Sequence, residues 1–351
     1  MDNGADIVIV AEAVNGTPSA LVFELLGLGR RLAAQTAGKV CVVTLGALPP
    51  ASSAALIEHG ADRILVLPDA GAAEDYPSDV WLARMSAALA QVAARVVLIG
   101  HTPMGADLAP RLAFRLQSAI ATGCEKLAID SGSLLATRPC YGNKAREVLS
   151  LHGRQAIATI RAKTQERATA EPARRGEVVT LEAPSAAGAL PSKVIARVQE
   201  DAAGGARLEN AGVVIAGGRG LGGPHGFKVL EELAAVVGGA VGASRVACDL
   251  GWCPHGRQIG LTGKTVTPDL YIAVGISGAS HHMAGCGNAK AILAINSDPE
   301  AAIFKEARYG VVGDYQVIVP LLAAEIARQK EGAASAPPAG SAAPRAAGAR
   351  E

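Results

Sequence analysis

Short, unbroken runs of β-branched and aliphatic residues recur along the chain, separated by longer helical patterns. Residues 6–11 read DIVIVA, 39–45 KVCVVTL, 63–67 RILVL and 95–99 RVVLI. Runs without polar alternation suit strands buried on both faces, as in parallel sheets covered by helices. Helical patterns at 19–36, 51–59, 79–94 and 104–117 lie between and after them. This βαβα rhythm predicts a doubly wound α/β fold. Aromatics are 3% of the chain and hydrophobic residues 50%, so the core must be packed from Ala, Val, Leu and Ile.

From about 120 to 185 the rhythm gives way to shorter extended pieces, 156–161 and 177–182 among them. They read as further strands closing a first domain over 1–198. Residues 199–211 (QEDAAGGARLENA) are small and polar and read as a linker. At 212 the rhythm restarts: strand 212–216, helix 224–237, strand 270–275, a helix near 279–285, strand 290–295, a short helix near 300–307, strand 310–314 and helix 319–330. The chain thus predicts two doubly wound parallel-sheet domains, the second over 212–331. Residues 332–351 are rich in Ala, Pro and Gly, cannot bury a core, and are expected to be disordered.

The formal net charge of +1 argues against nucleic acid or an anionic membrane as the main partner. The six cysteines form no CxxC, and their spacing fits neither a zinc site nor a disulfide framework. They read as small buried hydrophobes in a reducing compartment. The first residues, MDNGADIVIVAEA, lack the pattern of a signal or transit peptide. With no apolar run long enough for a membrane span, a cytoplasmic protein is expected.

The residues able to carry chemistry cluster in the second half. Gly218-Arg219-Gly220-Leu221-Gly222-Gly223 follows a strand, opens a helix and matches GxGxxG. There, backbone N–H groups could approach a pyrophosphate; an ordinary Gly-rich turn is an equal reading. Ser244-Arg245 ends a short apolar run, and such an Arg is either solvated or forked onto a phosphate or flat ring. Gln258-Ile259-Gly260-Leu261-Thr262-Gly263-Lys264 is a turn that could offer a hydroxyl and backbone donors. Ser277-Gly278-Ala279-Ser280-His281-His282 joins a strand to a helix, where N–H groups and hydroxyls can hold a diphosphate. The adjacent histidines do not face the same way, and no carboxylate or cysteine at ligand spacing completes a metal site. Asn296 and Asp314 close strands at the sheet edge where α/β proteins bind ligands, although turns also favour them. Together these loops suit a dinucleotide with a diphosphate, a ribose and a polar flat ring. They suit holding and tuning a cofactor rather than activating a substrate.

These residues resemble the C-terminal FAD domain of electron-transfer flavoprotein alpha subunits. The resemblance is carried by GGRGL (217–221), VGASR (241–245), QIGLTGK (258–264), PDLYIAVGISGASHHMAG (268–285), AINSDPEAAIF (294–304) and YGVVGD (309–314), in the family's order and spacing. Residues 1–190 are similar more loosely to the family's N-terminal domain, through DIVIVAE, GHTPMGADLAPRLA and RPCYGNK. The resemblance implies FAD as cofactor, with contacts at Arg219 and Ser244. It implies that Arg245 lies over the flavin ring, Thr262 near its N5, and His282, partly protonated, near its O2. Gln258, Ile259, Gly260 and Leu261 are implied as further contacts. So are Ser277, Gly278, Ala279, Ser280 and His281, which form the diphosphate and ring cradle. Asn296 and Asp314 match the adenosine end, and Tyr315 belongs to the implied set. A cationic Arg245 and His282 would favour the anionic, one-electron-reduced ring. Two positions depart from the family: Leu261 stands where Gln is usual, and Ser297 where many members have Lys.

The resemblance also implies an αβ heterodimer, with the N-terminal domain contacting a beta subunit that holds AMP or a second FAD. Electrons would come from acyl-CoA dehydrogenase-type flavoenzymes of fatty acid beta-oxidation and pass to a quinone reductase. Bifurcating members instead exchange electrons with NADH and ferredoxin. The competing readings are an NAD(P)-dependent oxidoreductase, a non-redox nucleotide-binding regulator and a structural scaffold.

Overall fold

A computed structural model describes residues 5–67, 76–141, 143–182, 208 and 211–335. The chain divides into two compact units, Met1–Gln199 and Glu200–Glu351. Most of the expected linker at 199–211 and the tail from 336 onward lie outside the described residues. Among the described residues no helix is long and apolar enough to cross a membrane.

The first unit opens with β1 (Asp6–Val10), a hairpin of β2 (Ala13–Val14) and β3 (Thr17–Pro18), then α1 (Ala20–Thr36). β4 (Val40–Leu45), α2 (Pro50–Glu58), β5 (Arg63–Leu67), α3 (Ser78–Ala90), β6 (Ala94–Gly100) and α4 (Pro103–Leu116) continue the alternation. β7 (Ala119–Cys124) leads into β8 (Lys126–Asp130), β9 (Ser133–Cys140) and β10 (Ala145–Leu151), followed by β11 (Ala156–Ile160) and β12 (Glu177–Thr180). Seven of these strands form a parallel sheet in the order β12-β5-β4-β1-β6-β11-β7.

The central strands are apolar throughout because both faces are covered. Ile7 and Ile9 face a layer with Leu25, Leu26 and Leu28 of α1. Val8 and Val10 face the opposite layer, with Met85 of α3 and Leu108 and Leu112 of α4. A parallel sheet alone is not the whole unit. β8, β9 and β10 form a separate antiparallel sheet, inserted between β7 and β11. In β8, and in β10 from Arg146 onward, every second side chain is exposed, the period of a half-covered antiparallel sheet.

The second unit contains β13 (Val213–Gly217), α5 (His225–Val237), β14 (Ala240–Ala243), α6 (Arg245–Asp249), β15 (Leu270–Val274), α7 (Ser280–Cys286), β16 (Ile292–Asn296), β17 (Tyr309–Val312) and α8 (Tyr315–Ser335). Its parallel sheet has the order β14-β13-β15-β16-β17. Because β14 and β15 flank β13 on opposite sides, the winding reverses between β13 and β15. That is where a doubly wound sheet opens a crevice at its carboxyl edge.

Three element assignments need correction. The helix expected near 300–307 is a 3-10 turn, Ala302–Lys305. The last helix begins at Tyr315 rather than 319, because Asp314 Oδ1 accepts the Gln316 N–H at 2.9 Å and so satisfies its first turn. It runs through Pro320 to Ser335, so the first residues of the expected tail are helical. Ala240–Ala243, too short and too small-residued to stand out, is the edge strand of the sheet.

Candidate cofactor site

Every strand of the second sheet ends at a residue that the sequence marks out. β13 runs into a 3-10 turn, Arg219–Leu221, with Arg219 exposed. β14 is followed by Ser244, whose N–H donates to the Gly217 carbonyl, and Arg245 begins α6. β15 runs into Gly275–Ala279 and then α7; β16 ends on Asn296; β17 is followed by Asp314. Parallel strands bring all five ends to one edge.

The GxGxxG turn has a different role from the one its pattern suggests. Gly220 N–H donates to Gly275 O at 2.9 Å, Leu221 N–H to Gly218 O and Gly222 N–H to Arg219 O. These donors are already engaged, one with the loop after β15 and two inside the turn. A Cβ on Gly220 would stand 2.7 Å from Gly275 Cα. The glycines therefore let the loops after β13 and β15 touch at the switch point, rather than cradling a pyrophosphate with that turn.

The 258–264 turn is fastened from both sides. Ile259 N–H donates to Ala243 O, and Leu261 N–H to His281 O at 2.7 Å. A Cβ on Gly285 would lie 2.4 Å from Gly260 N, so α7 and this turn meet backbone to backbone. Buried Gln258 donates from Nε2 to the Thr262 hydroxyl at 3.0 Å. Thr262 is exposed, and Leu261 is 65% exposed with no polar side-chain atom to offer a ligand. Arg245 is also exposed, and Asp249 one turn on lies 3.2 Å from its Nε. Such a pair is weak and leaves the guanidinium available.

At the start of α7, Ser277, Ala279, Ser280 and His281 are exposed, while Gly278 is buried. Gly278 has φ +83°, and a Cβ there would meet Ile303 N at 2.4 Å. His282 and Met283 make the first internal N–H bonds, both to Ala279 O. Helix starts leave earlier N–H groups without an intrahelical acceptor.

His282 is the buried member of the set, 8% exposed. Its Nε2 lies 2.8 Å from the Tyr271 hydroxyl, and its Nδ1 is buried without a hydrogen-bond partner. Burial pushes its pKa down to about 4. Burial thus favours the neutral ring. Sequence reading passed over Tyr271, which looked like one more apolar position of a strand. A tyrosine inside a buried strand was the available signal, because its hydroxyl must find a partner.

The far strands are less open. Asn296 Nδ2 donates to Ile276 O at 2.9 Å, and its Oδ1 accepts the Asp298 N–H at 3.0 Å. Its amide thus ties two loops, with part of its capacity left. Asp314 is exposed, and one carboxylate oxygen serves α8. Tyr315 is buried, and its hydroxyl donates to Leu221 O at 2.8 Å, which anchors α8 to the GxGxxG turn.

Comparison with known proteins agrees with this geometry. The family described as Electron transfer flavoprotein FAD-binding domain matches residues 207–287, and Electron transfer flavoprotein domain matches 6–186. The Electron transfer flavoprotein subunit alpha of Thermoanaerobacterium thermosaccharolyticum is 39% identical over 94% of this chain and 100% of its own length. That of Bacillus subtilis is 39% identical over 92% of this chain and 97% of its own. Protein FixB of Clostridium saccharobutylicum is 35% identical over 90% and 95%. The chain belongs to the electron transfer flavoprotein alpha-subunit family, and residues 207–287 of its second unit match the family's FAD-binding domain.

Proposed function

We propose that this chain is the FAD-carrying subunit of a heterodimeric electron carrier. It takes electrons from acyl-CoA dehydrogenase-type flavoenzymes and passes them to an acceptor such as a quinone reductase. The partner is a beta subunit holding AMP or a second FAD, and the first unit, 1–198, contacts it. The observation that carries this reading is the carboxyl edge of the second sheet. Exposed Arg219, Arg245, Thr262 and His281 gather there around the β13–β15 switch point.

The residues fit the cofactor. Exposed Arg219 and Arg245 can pair with phosphate or a flat ring, and the exposed Thr262, Ser277 and Ser280 offer hydroxyls. The FAD contacts are assigned to Arg219, Ser244, Arg245, Gln258, Ile259, Gly260, Leu261 and Thr262, and to Ser277–His282. Asn296 and Asp314 serve the adenosine end. Bound FAD supplies one- and two-electron redox chemistry. Arg245 brings positive charge to the ring, Thr262 a hydroxyl, and the apolar Leu261 offers no side-chain donor. Tyr315 acts through the loop it anchors.

The test is flavin content and stepwise reductive titration of the chain co-purified with its partner. One FAD per heterodimer, reduced in two one-electron steps, supports a simple carrier. Two flavins of well-separated potential point to bifurcation. A colourless complex overturns the reading.

A further inference from the structure

We propose that Cys248 and Cys253 form an oxidisable dithiol, a modification site that hydrogen peroxide converts into an intramolecular disulfide.

The chain reverses direction where α6 ends. Leu250 N–H donates to Val246 O at 3.0 Å, Gly251 N–H to Cys248 O at 2.8 Å and Trp252 N–H to Ala247 O at 3.0 Å. Gly251 takes φ +72°, the left-handed conformation that glycine favours at the end of a helix. The reversal brings residue 253 back to residue 248, and their sulfurs stand 3.3 Å apart. Both residues are free thiols. A disulfide needs about 2.05 Å between its sulfurs. The turn that must adjust is at the surface, with Asp249, Leu250 and Gly251 all exposed.

Buried cysteines are usually inert packing residues. This pair differs in that the two sulfurs touch, so an oxidised sulfur has a second thiol already beside it. Cys253 also lies at the rim of the core, 9% exposed against 2% for Cys248, and a small oxidant meets it first. Charge points the same way. Burial pushes Cys248 up to about 12, and Asp249 adds to that; burial raises Cys253 too, but Arg257 offsets part of the rise. Cys253 is therefore the attacking thiol and Cys248 the resolving one.

The Cys253 thiolate attacks one peroxide oxygen and breaks the O–O bond. Its sulfur becomes a sulfenic acid, and the hydroxide released takes up the thiol proton as water. The Cys248 sulfur then attacks the Cys253 sulfur, forms the S–S bond and expels hydroxide, which leaves as water with the Cys248 proton. Two thiols are oxidised and one peroxide is reduced to two waters. A thiol in contact captures the sulfenic acid before more peroxide carries it to the irreversible sulfinic acid.

Trypsin cuts after Arg245 and Arg257, so both cysteines fall on one peptide, 246–257. The folded full chain, co-purified with its partner subunit, is treated with rising hydrogen peroxide until half-buried Cys140 is oxidised. It is then unfolded, its remaining thiols are alkylated and its tryptic masses are read. Peptide 246–257 is expected two hydrogens lighter and unalkylated, with unchanged circular dichroism, and dithiothreitol should restore both alkylation sites. In Cys248→Ser, Cys253 is expected to run on to sulfinic acid. In Cys253→Ser, Cys248 should stay a thiol. A wild-type peptide with both thiols free, with sulfinic acid, or bridged only after the fold is lost overturns the proposal, whether or not the variants fold. Oxidation of Cys248 in Cys253→Ser at the wild-type rate overturns the assignment of Cys253 as the attacking thiol.

Discussion

Gly218 and Gly275 press their backbones together at the switch point of the second sheet. A Cβ on Gly218 would stand 2.2 Å from the Gly275 carbonyl oxygen, and Gly218 N–H donates to the neighbouring Val274 O at 2.9 Å. Gly275 itself has φ +62°. The contact fixes how the loops after β13 and β15 approach each other, and therefore where Arg219 and the 275–282 segment stand.

Gly218→Ala should consequently cost about 2–3 kcal/mol, because the obstacle is backbone and cannot swing away. Gly222→Ala is the contrast. Its φ is +72° but nothing lies within 4 Å of the added Cβ, so only backbone strain of about 1 kcal/mol is expected. Urea midpoints of the two variants check the order. Equal costs would mean that the loop contact is slack.

Asp314 combines two roles that substitution can separate. Asp314→Ala should lose the bond to Gln316 N–H and about 1 kcal/mol of stability. Asp314→Asn keeps an acceptor there and should keep the stability. Both variants should release FAD faster if the carboxylate meets the ribose. Unchanged FAD dissociation in Asp314→Asn would reduce Asp314 to a helix cap.

Arg245→Ala should barely alter stability, by less than about 0.5 kcal/mol, because the Asp249 pair is exposed. Its effect should appear in the flavin, as a lowered first one-electron potential. Arg245→Lys should recover part of that by restoring charge without the planar fork. Redox titration of both variants decides; a potential that stays put in Arg245→Ala removes Arg245 from the ring.

The depressed pKa of His282 links stability to pH in a definite direction. The unfolded chain binds this proton near pH 6.5 and the folded chain only near pH 4, so the unfolded state holds more protons in between. Stability from this group is therefore full above the unfolded value and falls as pH drops from about 6.5 toward 4, by roughly 3 kcal/mol in all. Tyr271 and Cys286, which face the ring, stay protonated throughout that window. Denaturation of the flavin-free chain at several pH values, beside His282→Gln, measures the difference. The same slope in both proteins would assign the pH dependence to other groups.

Much of this protein is legible from its residues in order. Unbroken runs such as DIVIV and LYIAV can only be buried on both faces, and helical periods between them force parallel crossovers. Strand ends then fix which of Arg219, Ser244, Arg245, Ser277, Asn296 and Asp314 reach the carboxyl edge, because chain direction alone puts them there. The antiparallel β8–β10 insertion was visible only as a change of rhythm, since its short alternating strands carry a weak pattern. Contacts between distant segments could not be read at all. That Gly218 meets Gly275, that Tyr315 bonds Leu221 and that Tyr271 bonds His282 depend on loops crossing in space. The protonation of His282 followed the same rule: its sequence neighbours do not set it, whereas burial beside β15 does, because desolvation is a property of the packed fold.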